Sequence, residues 1–259
     1  MSASHLDRLV QESRDELAER QARTPLEAVR ARALAAAAPR PFVSALLQGS
    51  GLIAEVKRAS PSKGAINPGL DPVELARAYQ RGGAACLSVL TQKKSFGGSL
   101  WDLAAARGAC SLPVLRKDFL VEPYQLYEAR AHGADAVLLI AAALPEDQLL
   151  RLRALAAELR LAVLCEIHEE DELASARACK PDLLGINARN LKTLEVDPGA
   201  FARLARAAGS IAPLVAESGV KTADDVRRLR GLGARAVLVG EALSSAFDPE
   251  IATRVLVSA

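Results

Sequence analysis

Aromatic residues are scarce in this 259-residue chain, histidine is scarcer, and its four cysteines show no CxxC spacing. Cys86, Cys110, Cys165 and Cys179 therefore read as small core residues of a reducing compartment, not as a disulfide frame or a metal cage. His5, His132 and His168 form no HxxxH or similar pattern, so no transition metal is implied. The longest apolar run, AVLLIAAAL from Ala136, has about nine residues, well short of the roughly twenty that span a bilayer. The amino terminus lacks an apolar signal core, and its Glu12, Asp15, Glu16 and Glu19 are unlike a transit peptide, which avoids acids. A cytoplasmic protein without membrane contact is expected. A formal charge of +2, with acids and bases interspersed, leaves no basic face. No zinc-finger or RRM-type signature is present either, so nucleic acid is not expected as a partner.

What is present is a chain half hydrophobic and a quarter charged, the profile of a globular protein with a sizeable core. Eight short runs rich in Val, Ile and Leu recur about 20 to 35 residues apart: LIAEVK (52), ACLSVLT (85), PVLRKDF (113), AVLLIA (136), AVLCEI (162), LLGINAR (183), PLVAES (213) and AVLVG (236). Segments of helical period separate them, which is the βαβα alternation of a parallel sheet. Helix starts are marked by Asp71-Pro72 with Glu74, by Glu122-Pro123, by Leu144-Pro145 and by Thr222 with Asp225. Gly83, Gly133 and Gly233, each followed by alanine, mark the helix ends. The first loop, KRASPSKG, is neither a GxGxxG fingerprint nor a Walker loop, so an α/β (β/α)8 TIM barrel is expected rather than an open doubly wound sheet. One barrel domain over 1–259 is expected, with residues 1–50 as an amino-terminal helical extension. In that extension Leu6, Leu9, Val10 and Leu17 share one helical face, followed by an Ala-rich turn and PFVSALL. It either plugs one end of the barrel or contributes to its mouth.

Strands buried on both faces should be apolar throughout, so their polar residues carry the information. These gather at the carboxyl ends, where a (β/α)8 barrel has its active site. They are Glu55 and Lys57, then Lys117, Asp118 and Phe119, then Glu166, Asn187 with Arg189, Glu217 with Ser218, and Gly240 with Glu241. Alternation puts Lys117 and Phe119 on one face and Asn187 and Arg189 on one face, and turns Asp118 away as a structural partner. The glycine turns ESG (217 to 219) and VGEA (239 to 242) follow the last two strands, where backbone N–H groups commonly hold a phosphate. With Lys and Glu as the strong proton carriers, the residues suggest acid–base catalysis, or a Schiff base, on a phosphorylated anion. Another phosphate-binding barrel, such as a Schiff-base aldolase or phosphoribosylanthranilate isomerase, fits this reading too. A silent metabolite-binding barrel fits less well, because buried unpaired charges cost it stability.

The segments IAEVKRASPSKG (53 to 64), LSVLTQKKSFGGS (87 to 99), PVLRKDFLVEPYQLYEARAHGADAVLLI (113 to 140), LCEIHEEDEL (164 to 173), LGINARNLKTLEVD (184 to 197) and VAESGVKTADDVRRLRGLGARAVLVGEAL (215 to 243) resemble the indole-3-glycerol phosphate synthase family of tryptophan biosynthesis. The resemblance covers about residues 50 to 245, and the amino-terminal helix fits it. It implies conversion of a carboxyphenylamino-deoxyribulose phosphate, a phosphorylated anthranilate derivative, to indole glycerol phosphate with loss of carbon dioxide and water, without metal or cofactor. It implies Lys117 as general acid for ring closure, and Lys57, Glu55 and Glu166 in the dehydration, with Asn187 and Ser218 among the catalytic set. Arg189 would lie by the anthranilate moiety, with Phe96, Phe119, Leu138, Leu191 and Leu238 as walls. Ser60 and Pro61 would form the rim, Ser218, Gly219, Gly240 and Glu241 would lie at the phosphate end, and Glu217 would be among the substrate-binding residues. Glu241 departs from members with a small hydroxyl residue there; its backbone N–H still serves if the carboxylate turns to solvent. The SPSKG loop is either a lid or a static rim. A monomer or a homodimer is expected.

Overall fold

A computed structural model describes residues 4–259. Eight parallel strands form a closed barrel: β1 (Leu52–Val56), β2 (Cys86–Leu90), β3 (Val114–Lys117), β4 (Ala136–Ile140), β5 (Ala162–Ile167), β6 (Leu183–Asn187), β7 (Leu214–Glu217) and β8 (Ala236–Val239). Each strand pairs with its neighbour in the chain, and β1 closes the ring on β8 from Leu52↔Val237 to Ala54↔Val239. Every residue of β1, β2 and β4 is buried, because the barrel core covers one face and helices cover the other. All eight expected strands are present.

The helices before the barrel are α1 (His5–Arg23), α2 (Leu26–Ala35) and α3 (Phe42–Gln48). Around it run α4 (Pro72–Arg81), α5 (Leu100–Ala109), α6 (Pro123–Ala131), α7 (Glu146–Glu158), α8 (Leu173–Cys179), α9 (Ala200–Ala208), α10 (Ala223–Gly231), the short α11 (Glu241–Ser244) and α12 (Pro249–Val257). The start signals act as read: Asp71 accepts from the Val73 N–H, and Thr222 and Asp225 form a reciprocal capping box. Among the described residues no helix is long and apolar enough to cross a membrane.

The extension touches both ends of the barrel. α1 lies over the carboxyl end, where Ser13 Oγ donates to Asp118 (3.4 Å) and Glu12 accepts from Ser95 Oγ (2.6 Å) and Gln92 (3.2 Å). α3 sits at the opposite end: the Cys86 thiol donates to the Phe42 carbonyl at 3.5 Å, and the Arg40 N–H donates to Asp135, just ahead of β4, at 2.6 Å. Between them, α2 packs on α6 through Val29 and Tyr124, joined there by Leu17 of α1. The Ala-rich stretch expected as a turn is helical through Ala35. Alanine has the highest helix propensity, and Ala33 is buried. Cys86, Cys165 and Cys179 are buried as expected, while Cys110 is half-buried.

Candidate active site

The inward-facing residues of a β/α barrel stack in layers, each layer supplied by alternate strands. At the carboxyl end, the odd strands contribute Glu55 from β1, Lys117 from β3, Glu166 from β5 and Glu217 from β7. Lys117 Nζ lies 3.3 Å from Glu166 Oε2 and 3.5 Å from Glu217 Oε2. Across the mouth, Lys57 Nζ meets Glu55 Oε1 at 2.6 Å. The charges are therefore paired, which corrects the expectation of buried unpaired ones. Closing the barrel sets strands distant in sequence side by side, so each cation finds a carboxylate.

The even strands make room for this layer. A Cβ on Gly185 of β6 would collide with the Glu217 carboxylate, and one on Gly240, just past β8, with Glu55 and Lys57. Glycine is needed at both positions because a charged side chain from the neighbouring strand occupies the space. Asn187 ends β6 as a relay. Its amide donates to Glu166 Oε1 at 3.1 Å, and its carbonyl oxygen accepts from Ser218 Oγ at 2.7 Å and the Arg189 N–H at 3.0 Å. Ser218 adopts φ +64°, a left-handed conformation that costs a non-glycine residue energy. That strained turn is what aims its hydroxyl back at Asn187.

Every site residue named from the sequence lines one cavity of about 910 Å³ over this layer. One wall is apolar: Phe96 and Phe119 stand with ring centroids 6.3 Å apart, beside Leu138, Leu191 and Leu238. Ser218, Gly219, Gly240 and Glu241 occupy the side by β7 and β8, and Ser60 and Pro61 the rim. Asp118 is turned toward α1 and α6, paired with Arg116 at 3.0 Å and Thr91 Oγ1 at 2.6 Å. Among the described residues no cluster of His, Cys, Asp and Glu is arranged to hold a metal ion.

The family model described as indole-3-glycerol phosphate synthase matches residues 6–256. The chain belongs to this family. It is 49% identical to an indole-3-glycerol phosphate synthase of Mycolicibacterium smegmatis over the whole chain and 95% of that relative. It is 52% identical to one of Nocardioides sp. over 97% of each. Among solved structures, 3-hexulose-6-phosphate synthase (18% identity, TM-score 0.64, 80% of this chain and 98% of that one) shares the fold. So does a mutant tryptophan synthase alpha-subunit from Pyrococcus furiosus (16% identity, TM-score 0.61, 82% and 99%). Membership of the indole-3-glycerol phosphate synthase family makes the chain a carboxy-lyase of tryptophan biosynthesis.

The protonation states follow from the packing. Burial by itself lowers the Lys117 pKa, but Glu166, Glu217 and Glu55 together raise it above its ordinary value, so the amine stays an ammonium. Burial works to raise Glu166, yet Lys117, His168 and Asn187 bring it below the usual carboxylate range. Glu217 goes the other way: burial and the adjacent Glu166 push it well above its ordinary value, against the pull of Lys117.

In this indole-3-glycerol phosphate synthase family member, three residues in or beside the cavity take places that the sequence reading did not give them. Leu9 of α1 reaches the cavity, which resolves the extension as part of the mouth; its helical face had been legible, its destination had not. Lys63, in the SPSKG loop, pairs with Glu241 at 3.5 Å. The Glu241 carboxylate is therefore tied across the mouth to the β1 loop, whose Ala59–Ser60 and Gly64–Ala65 form a two-stranded ladder. His168, set aside for want of a metal pattern, packs against Glu166.

Proposed function

We propose that this chain, as one barrel domain, closes 1-(2-carboxyphenylamino)-1-deoxyribulose 5-phosphate to indole-3-glycerol phosphate with Lys117 as the acid. The observation that carries the reading is the position of Lys117, a partly buried ammonium 3.3 Å from Glu166 in the floor of a cavity with an aromatic wall. The anthranilate ring rests against Phe96, Phe119, Leu138, Leu191 and Leu238, and Arg189 faces its carboxylate. The phosphate lies at the turns of Ser218, Gly219 and Gly240. Their backbone N–H groups donate to no backbone acceptor among the described residues and are free for an anion.

The ring carbon bearing the carboxylate attacks the ketone carbon, and Lys117 gives its proton to the ketone oxygen. Carbon dioxide then leaves, its bonding pair flowing into the iminium nitrogen that the attack created. For dehydration Lys57 protonates the departing hydroxyl while the ring nitrogen's lone pair helps expel it, and a carboxylate of the layer, Glu55 or Glu166, takes a proton from the methylene carbon next to that nitrogen, which leaves the aromatic indole with its N–H. Each transfer has a side chain within the layer, so the reaction asks for no cofactor. Asn187 and Ser218 hold Glu166 in line. The proposed working unit is a monomer, and a cytoplasmic location is in keeping with four free thiols.

Incubating the pure protein with this anilino-ribulose phosphate should release carbon dioxide and raise indole fluorescence; no signal above buffer would overturn the reading. Glu241 places a carboxylate beside the phosphate turn, where it competes for Lys63. Glu241→Ser is expected to lower KM by roughly two- to fivefold at low ionic strength with kcat about unchanged. Steady-state kinetics at low and high salt check this, and an unaltered KM would mean that the carboxylate does not oppose the phosphate.

A further inference from the structure

His168 is the first residue after β5, so alternation puts it on the same side as Glu166, two residues before it. The ring is buried at 8% exposure. Its Nε2 lies 3.1 Å from Glu166 Oε1, and its Nδ1 lies 3.6 Å from Glu172 Oε2, an oxygen that also accepts from the His168 N–H at 2.8 Å. Neither ring nitrogen has a well-aligned acceptor, so the contact with Glu166 is an ion pair more than a directed hydrogen bond. Glu166 thus divides its two oxygens: Oε2 faces Lys117 and the cavity, while Oε1 is met by Asn187 and His168.

We propose that His168 is a positioning residue, holding Glu166 Oε1 from behind so that Oε2 stays presented to Lys117 and the substrate. The role is needed because Glu166 is almost completely buried and shares the single ammonium of Lys117 with Glu217. A second cation behind it removes the pressure on Glu166 to take up a proton.

The surroundings favour an imidazolium. Glu166 faces it from β5 and Glu172 from the turn that opens α8. A smaller cavity of about 250 Å³ on the other side brings Glu169 and Glu170 from the same loop, Asn187 from β6, Asn190 and Asp197 from the following loop, and Arg203 from α9. Carboxylates outnumber the one guanidinium. Burial alone lowers the His168 pKa, but Glu166 and Glu172 carry it up to about 9. A raised histidine pKa means stability that is complete below the ordinary histidine range and is lost as pH rises through about 9.

The role rests on the function proposed above, so one readout is independent of turnover. The sequence contains three histidines, so their ring resonances can be separated by NMR. His168 should titrate near pH 9 in the native protein and fall back toward the ordinary range in Glu166→Gln. The same titration in both proteins would overturn the coupling. The second readout is the pH profile of kcat in His168→Leu and His168→Gln. Loss of the cation should move the acid limb upward in both. Turnover should fall roughly ten- to hundredfold in the leucine variant with KM about unchanged, and less in the glutamine variant, which keeps a donor. Should the leucine variant fail to fold, the glutamine variant decides alone. An acid limb that stays in place, at any rate of turnover, would leave His168 a structural residue only. Absence of turnover in the native protein would count against the proposed reaction, while the NMR comparison still judges the pairing.

Discussion

Lys117→Ala is expected to cut kcat by about a thousandfold, within the range of roughly 10² to 10⁴ that a positioned general acid contributes. In the proposed sequence Lys57 acts on this oxygen only later, at the dehydration, so ring closure itself has no second acid. Before then Lys57 is engaged by Glu55 at 2.6 Å, and burial and Glu166 push the Glu217 pKa up, which makes it a poor proton donor. The barrel should stay folded, since Glu166 can take up a proton once its ammonium is gone. That uptake would also leave the residual activity dependent on pH at the acid end. Turnover measured alongside far-UV circular dichroism makes the comparison; a folded variant within tenfold of the native rate would remove Lys117 from the role of acid.

The second large effect is on stability and lies one residue earlier. Arg116 has no exposed surface, and its guanidinium reaches Thr91 Oγ1 (3.1 Å), the Gln125 carbonyl (2.7 Å), Asp118 (3.0 Å) and Glu128 (3.4 Å). Glu128 in turn holds Arg20 of α1 at 2.7 Å, and Asp118 accepts from Ser13 of α1. Arg116→Met would leave Asp118 buried without a cation and Glu128 with Arg20 alone, a loss of about 3–5 kcal/mol. For a chain of this size that is a fall in Tm on the order of 10 °C. Adding Asp118→Asn and Glu128→Gln should recover part of it, because the orphaned charges, not the missing arginine, carry most of the cost. A single variant that melts with the native protein would show that the network contributes nothing net. Thermal unfolding followed by circular dichroism distinguishes the outcomes.

Lys117 and Arg116 also mark how far the chain could be read. On a strand, neighbours point to opposite faces, so the run Arg116, Lys117, Asp118 divides into a site residue and its support without any coordinates. Polar residues at the ends of otherwise apolar strands stood out for the same reason, and all of them line the cavity. Gly240 was noticed only as a phosphate turn; Gly185 drew no notice. Their need to be glycine comes from Glu55 and Glu217 on adjacent strands, contacts between residues far apart in the chain.

His168 and Leu9 were passed over for a related reason. A histidine without a metal pattern and a leucine on an amphipathic helix are both ordinary core residues until their neighbours are known. The order of elements, the strand ends that bear the chemistry and the family were written in periodicity and motif, which are local. The pairing of charges, the raised pKa of Glu217, the ion pair from Lys63 to Glu241 and the seat of α1 over the mouth depend on distances across the barrel. Those distances exist only after closure, when alternate strands bring their side chains into one layer and burial makes each neighbouring charge count.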